Sequence, residues 1–155
     1  MKLWETIKRR FKYIIRCHDG ASYLVRYRPF LWRPRIYVHN LRKSDNEIGL
    51  HDHPWWFISL VIWRGYYEYT PAVQPVGEPC QGSKLVEPIR RKWRRFGSIA
   101  FRRATDAHRV EMKKDKDGND LPAWTLVLCG KKSRSWGFYT LHLGWVDHSL
   151  YEDRE

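Results

Sequence analysis

The stretch Leu50-His51-Asp52-His53-Pro54-Trp55-Trp56-Phe57, answered far downstream by Ala107-His108-Arg109-Val110, constrains this chain more than any other feature. In a β-strand, alternate residues project from one face, with Cα atoms roughly 6.5–7 Å apart. His51 and His53 can therefore aim two imidazoles at one spot, and His108 on a neighbouring strand would add a third. Neutral imidazole is the commonest protein ligand for divalent transition ions. Three ligands with open positions describe a catalytic site better than a structural one, which is normally closed by a fourth. The competing reading puts His51 and His53 in a solvated loop before Pro54, with His108 an unrelated surface residue. The third histidine tips the balance towards metal.

Composition agrees with a strand-based protein. The chain has 155 residues, the usual size of one compact domain. Nine Trp, nine Tyr and six Phe make it rich in aromatics, which suit pleated surfaces. Strands are predicted at Tyr23–Tyr27, Arg35–Leu41, Phe57–Ile62, Tyr66–Tyr69, Leu85–Ile89, Ser98–Arg102, His108–Met112, Trp124–Leu128 and Gly137–Leu143. Many short strands at regular spacing predict an all-β sandwich or small barrel. A Pro- and Gly-bearing segment from Thr70 to Ser83 reads as a long loop able to serve as a lid. Lys114-Asp115-Lys116-Asp117-Gly118-Asn119 reads as a hairpin loop. One helix is expected. Leu3, Trp4, Ile7, Phe11, Ile14 and Ile15 fall at helical spacing, with Lys8, Arg9, Lys12 and Arg16 between them. A basic amphipathic helix can lie on a membrane, but packing on the domain's own sheet is the favoured reading. The expected organisation is one domain over 1–155, with helix 1–18, barrel 22–147 and tail 148–155.

The His-x-His, a short turn, the strand Phe57-Ile58-Ser59-Leu60-Val61-Ile62 and Gly65 together resemble the first motif of the cupin superfamily. Gly97-Ser98-Ile99-Ala100-Phe101 followed by Ala107-His108-Arg109-Val110 resembles the second. Two departures matter. Cupins with a carboxylate ligand carry Glu four or five residues beyond the second His, where this chain has Phe57 and Ile58. The Pro-x-Gly usual before the last His is replaced by Ala104-Thr105-Asp106. What remains is similar to the three-histidine site of the thiol dioxygenases, of which cysteine dioxygenase is the familiar member. The phrases LHDHPWWF, TDAHRVEM, TLVLCGKK and RSWGFYT also resemble those of small bacterial and phage-encoded cupin-like proteins. The resemblance covers roughly Ile36 to Val146. It implies a double-stranded β-helix, or jelly-roll barrel, and His51, His53 and His108 as metal ligands.

Charge is localised. The net charge is +12. Met1 to Arg16 contributes +5 and Lys84 to Arg103 contributes +7, so these two segments hold the whole excess. Such a field attracts acidic substrates, nucleic acid or an anionic surface. Arg90-Arg91-Lys92-Trp93-Arg94-Arg95 interleaves a Trp with cations, as phosphate contact with base stacking would require. A solvated edge strand protected by its charges is the favoured alternative, since no named nucleic-acid motif is present. No apolar run is long enough for a membrane-spanning helix. Cys17, Cys80 and Cys129 are odd in number and widely spaced, which argues for a reducing compartment. With no secretory leader pattern, the expected location is the cytoplasm.

No phosphate-binding Gly loop, dinucleotide fingerprint or nucleophile elbow occurs. Acids are thin in the proposed core strands; Glu68, in the strand after Gly65, could be a fourth ligand or proton acceptor, although an exposed position alternating with Tyr67 and Tyr69 is favoured. His142 and His148 have no spacing rule that brings them to the other three.

The function expected is that of a metal-binding cupin, with a non-haem iron dioxygenase as the favoured chemistry. Fe(II) is the preferred cofactor, with Zn, Ni or Mn as alternatives, and a small anionic substrate would supply the missing donor. Candidate anion anchors are Arg64, Arg109 and Arg134, and Tyr139 is a candidate hydrogen-bond donor to the reacting groups. Two other classes stay open. One is a non-catalytic binding module whose basic surface recognises an acidic partner. The other is a metal-dependent isomerase or hydrolase, since fold does not fix function. A homodimer is compatible with either.

Overall fold

The structure, a computed structural model, describes residues 12–16, 20, 22–28, 35–45, 49–140 and 142–151. Its strands are β1 (Lys12–Arg16), β2 (Ser22–Tyr27), β3 (Ile36–Leu41), β4 (Leu50–His51), β5 (Phe57–Trp63), β6 (Tyr66–Val73), β7 (Val86–Arg94), β8 (Ile99–Arg102), β9 (Arg109–Met112), β10 (Ala123–Cys129), β11 (Gly137–Thr140) and β12 (Gly144–Asp147). A single helical turn, α1 (His148–Tyr151), follows them. One antiparallel sheet runs β1-β2-β3-β10-β5-β8, and two smaller ones run β12-β11-β4 and β7-β6-β9.

The two small sheets meet at the histidines. His51, ending β4, and His108, just before β9, are antiparallel bridge partners. They exchange backbone N–H···O bonds of 2.8 and 2.9 Å. The bridge joins the small sheets into a second layer ordered β12-β11-β4-β9-β6-β7. This mostly antiparallel β architecture is consistent with the cupin-like fold that the motifs imply.

Strand alternation builds the core. Along β10, Ala123, Thr125, Val127 and Cys129 turn inward, and along β5 Phe57, Ser59 and Val61 do the same. Leu24, Leu41, Val61 and Ala123 of the first sheet pack against Tyr66, Val110 and Met112 of the second layer. A further cluster gathers Leu50, Ala107, Tyr139 and Trp145.

Several expectations change. The N-terminal helix is not supported: Lys12–Arg16, its C-terminal part, is strand β1, paired with β2 from Lys12↔Tyr27 to Arg16↔Ser22. Residues 1–11 lie outside the described residues. Tyr13-Ile14-Ile15 is a β-branched and aromatic run, so sheet pairing satisfies its backbone while Ile15 packs on the core. The expected loop from Thr70 is shorter, because β6 continues to Val73 opposite Val86. Its partner β7 continues through the basic run to Arg94, at the edge of its sheet. The expected tail begins with α1, whose His148 stacks on Trp136.

Asp52 sits between the two motif histidines and faces the other way, as strand-like alternation requires. It is fully buried. Its carboxylate accepts hydrogen bonds from the Gly137 N–H (2.8 Å) and the Trp145 indole (3.0 Å), and pairs with Arg134 Nη1 at 3.0 Å. Arg134 Nη1 also donates to the carbonyl of His53. Gly137 lets β12 and the Trp145 indole lie this close, because a Cβ there would meet the Val146 carbonyl oxygen at 2.1 Å and the Trp145 ring at 2.8 Å. The histidine segment is thus clamped from behind by a buried ion pair. Removing one partner of such a pair strands the other charge, at a cost of roughly 3–5 kcal/mol. Asp52→Ala should therefore lose about that much in urea unfolding. A loss below about 1 kcal/mol, the scale of an exposed pair, would show that the clamp is not structural.

Candidate metal centre

The bridge between β4 and β9 makes His51 and His108 directly opposed residues, whose side chains leave the layer on the same face. His53 follows two residues after His51, its N–H bonded to the Ala104 carbonyl. The three rings form a near-equilateral triangle with centroids 4.9–5.1 Å apart. One ring nitrogen from each lies within 4.8 Å of the others. His53 Nε2 and His108 Nε2 are 2.8 Å apart.

Glu68 does not face solvent. Strand alternation places it inward with Tyr66, while Tyr67 and Tyr69 take the opposite face. Its carboxylate receives Arg94 Nε and Arg102 Nη2 at 2.6 Å, and its other oxygen lies 3.1 Å from His108 Nδ1. Burial would raise this carboxyl, but the His108 hydrogen bond and the Arg102 and Arg94 charges outweigh it and hold it well below the usual carboxylate range. An ionised Glu68 can only accept, so the His108 Nδ1 that faces it is the donor, which leaves Nε2 as the nitrogen turned to the cluster. Glu68 is therefore the orienting partner of one candidate ligand. On the other side, Asp45 Oδ2 lies 3.6 Å from His51 Nδ1, too long for a hydrogen bond but of the same polarity.

Burial disfavours the charged form of His51 and His53. Burial lowers His51 to about 4, with Asp45 opposing and His108 adding to the shift. His53 is pushed well below its ordinary value by burial and by the neighbouring His51 and His108. Phe57 packs edge-on against the His53 ring at 4.8 Å. Ile58, at the other position where a cupin carboxylate could stand, points outward on the opposite face of β5.

The triad opens into a cavity of about 350 Å³ between the two layers. Leu24, Phe57 and Val127 give it apolar sides, and Arg26 and His39 line its wall on the first sheet. Arg26 Nε donates to His39 Nε2 at 3.0 Å. The four further residues singled out from sequence do not line this cavity. Arg64 occupies the β5–β6 turn with φ 56° and stacks over Trp63. Arg109 lies over Tyr69 on the outer face of β9, 3.6 Å from Glu111. Arg134 is spent on Asp52, and Tyr139 is buried beside Leu50 in the cluster with Trp145. Arg26, His39 and Asp45 gave no signal in sequence, since each stands alone without a motif.

No family model matches the sequence, and no curated protein matches it. Among solved structures, similarity extends to Fe(II)-HppE with the alternative substrate (S)-1-HPP, at 12% identity and a TM-score of 0.49 over 77% of this chain and 56% of that one. Hydroxypropylphosphonic acid epoxidase from S. wedmorenis matches at 11% identity and 0.48, over 77% and 55%. DMSP lyase DddQ from Ruegeria pomeroyi DSS-3 matches at 18% and 0.36, over 84% and 52%. The chain spans about half the length of these structures. The chemistry of the site rests on its own residues.

His39 gives a pH test. It is buried, and burial together with the Arg26 charge lowers it from 6.5 to about 3. In the unfolded chain the imidazole protonates near 6.5, whereas the folded one refuses the proton until about 3. Unfolded molecules thus bind more protons in that window, and stability present above pH 6.5 is lost as pH falls through it. In metal-free protein, His39→Gln should remove about 2 kcal/mol of the stability lost between pH 7 and pH 5 in urea titrations. An unchanged pH slope would refute the assignment.

Proposed function

We propose that this chain is a metal-dependent enzyme of the cupin type, in which His51, His53 and His108 hold a divalent transition ion. Fe(II) is the ion preferred, ahead of Zn, Ni or Mn, and the reaction is a non-haem iron dioxygenation of a small anionic substrate. The observation carrying this reading is the convergence of one ring nitrogen from each of the three histidines within 4.8 Å of one another, where burial disfavours the charged form of His51 and His53. In the metal-free site one of His53 Nε2 and His108 Nε2 can donate a hydrogen bond to the other, and a bound cation would take the place of that proton. The 2.8 Å between these two nitrogens suits a pair that would each bind one ion at roughly 2.0–2.1 Å. A divalent ion supplies Lewis acidity when bound, and iron adds the redox capacity that reaction with dioxygen requires.

The remaining roles belong to the chain. Glu68 holds the His108 tautomer, Phe57 shields His53 from water, and the Asp52–Arg134 clamp fixes the segment that carries both motif histidines. Three nitrogen donors and no carboxylate leave the site positive, which favours a substrate that brings an anionic donor of its own.

Protein purified without chelator or added nickel should contain a single divalent ion per chain by elemental analysis. His53→Ala and His108→Ala should lose it while keeping the β-sheet circular dichroism spectrum. Glu68→Gln, which keeps the shape but not the charge, should bind metal about 10–100-fold more weakly. Iron-loaded protein offered thiols, 1,3-diketones and 2-oxo acids should then consume oxygen. Uptake surviving His108→Ala would mark the iron as adventitious. A tightly held ion without uptake would move the reading to the isomerase or hydrolase class.

A further inference from the structure

We propose that Arg26, braced by His39, binds the oxyanion group of a small organic acid whose other end lies at the three histidines. This deepens the reading above and rests on it only for the position of that second end. Arg26 is the one cationic side chain among the described residues that line the cavity. The buried guanidiniums near it each have a carboxylate partner: Arg94 and Arg102 share Glu68, and Arg134 has Asp52. No carboxylate among the described residues lies within ion-pair distance of Arg26. Its Nε is taken by His39, and its guanidinium lies 4.9 Å from the centre of the Tyr37 ring. The two Nη groups have no acceptor among the described residues.

The geometry at His39 makes this a built feature. A guanidinium is always protonated, so the imidazole nitrogen facing it must be the acceptor, with the ring neutral and its proton on Nδ1. His39 therefore fixes the guanidinium without neutralising it, and the Nη fork keeps its charge. The cavity's one carboxylate, Glu68, is already faced by two arginines, so the wall carries unbalanced positive charge in apolar surroundings. An anion entering there meets an attraction less screened than in water. A planar fork suits a two-oxygen group such as a carboxylate or a phosphonate. The volume of about 350 Å³ is at the small end of ligand sites, which limits the acid to a short body.

The test titrates isotope-labelled protein, metal-free and zinc-loaded, with propionate, ethylphosphonate and the neutral propionamide, reading the Arg26 Nε resonance and the dissociation constants. At least one of the two acids should bind saturably and shift that resonance, and propionamide should not; which acid binds more tightly separates the carboxylate from the phosphonate class. Arg26→Gln keeps a donor for His39 and should weaken the acid about tenfold or more, while zinc binding stays. His53→Ala should do the reverse, losing zinc and keeping the acid. Equal affinity in wild type and Arg26→Gln, or no saturation by either acid, would overturn the subsite while leaving the metal reading intact. Loss of zinc affinity in wild type with the acid still bound would do the opposite.

A separate observation lies on the outer face of the first sheet. Cross-strand register there gives two rows, Val38–Leu126–Leu60–Ile99 and Ile36–Leu128–Ile58–Phe101, with no polar residue in either. Ile99 is 67% and Phe101 55% exposed, and half-exposed Trp56 packs beside Phe101. We further infer that this face docks a second copy of the chain, sheet against sheet. The rows carry no charge for an acidic partner to read, and a uniformly apolar face is complementary to itself under a two-fold axis. The rows and Trp56 present on the order of 600 Å² of apolar surface, approaching the ~800 Å² per partner of a stable interface. Light scattering should give the mass of two chains. The double variant Ile58→Glu, Phe101→Glu should give one, with unchanged circular dichroism and zinc content. A wild-type protein that stays single at all concentrations, or a double variant that stays paired, would overturn this inference.

Discussion

Two backbone hydrogen bonds between His51 and His108 carry more of this structure than their number suggests. They join β4 to β9, and among the described residues they are the strand pairing that connects the β12-β11-β4 and β7-β6-β9 sheets. The same pairing puts two imidazoles on one face, because residues directly opposed in an antiparallel ladder project together. Fold closure and site assembly are therefore one event. A register slip of one residue would turn both side chains to the other face and destroy the core and the site together.

The cost of placing charge inside such a core is offset in matched groups. Asp52 faces Arg134 and two neutral donors, and Glu68 faces Arg94, Arg102 and His108. Buried pairs of this kind add little net stability compared with well-packed apolar residues, yet they are costly to break. Their consequence here is geometric. One group holds the segment that carries His51 and His53 from behind, and the other sets the proton position on His108. The three histidines are thus positioned by partners on β6, β11, β12 and the segment before β11, far from them in sequence.

The parts legible in sequence were those with a local period. His-x-His, the alternation of β5 and β10 and the glycine-bearing turns each carry their own signal, and the β architecture followed from them. The N-terminal segment misled because Phe11, Ile14 and Ile15 satisfy a helical period while Tyr13-Ile14-Ile15 equally satisfies a strand, and pairing with β2 decides between them. Glu68 was misplaced for a related reason. Alternation puts it opposite Tyr67 and Tyr69 but does not say which face is inside, and an acid flanked by tyrosines reads as exposed. The two arginines that make its burial tolerable come from β7 and β8. Arg26 and His39 were invisible for the same cause: their meaning lies in a pairing across β2 and β3.

The basic run Arg90–Arg95 shows how a compositional signal divides once strand geometry acts on it. As a sequence it is a block of positive charge suited to phosphates. On β7, Arg94 turns inward to Glu68, and Arg91 pairs with Glu111 while stacking on Tyr67 at 3.5 Å. The exposed remainder, Arg90, Lys92 and Arg95, lies at a sheet edge, where charge discourages pairing with another strand. Part of what reads as a surface field is therefore internal wiring of the site. The positive potential that remains inside the cavity comes from Arg26 together with the arginines behind Glu68, and so acts on whatever small molecule reaches the histidines. Local charge density in sequence measured the number of arginines but not their direction, and direction is what separates charge on an exposed strand edge from charge turned into the core.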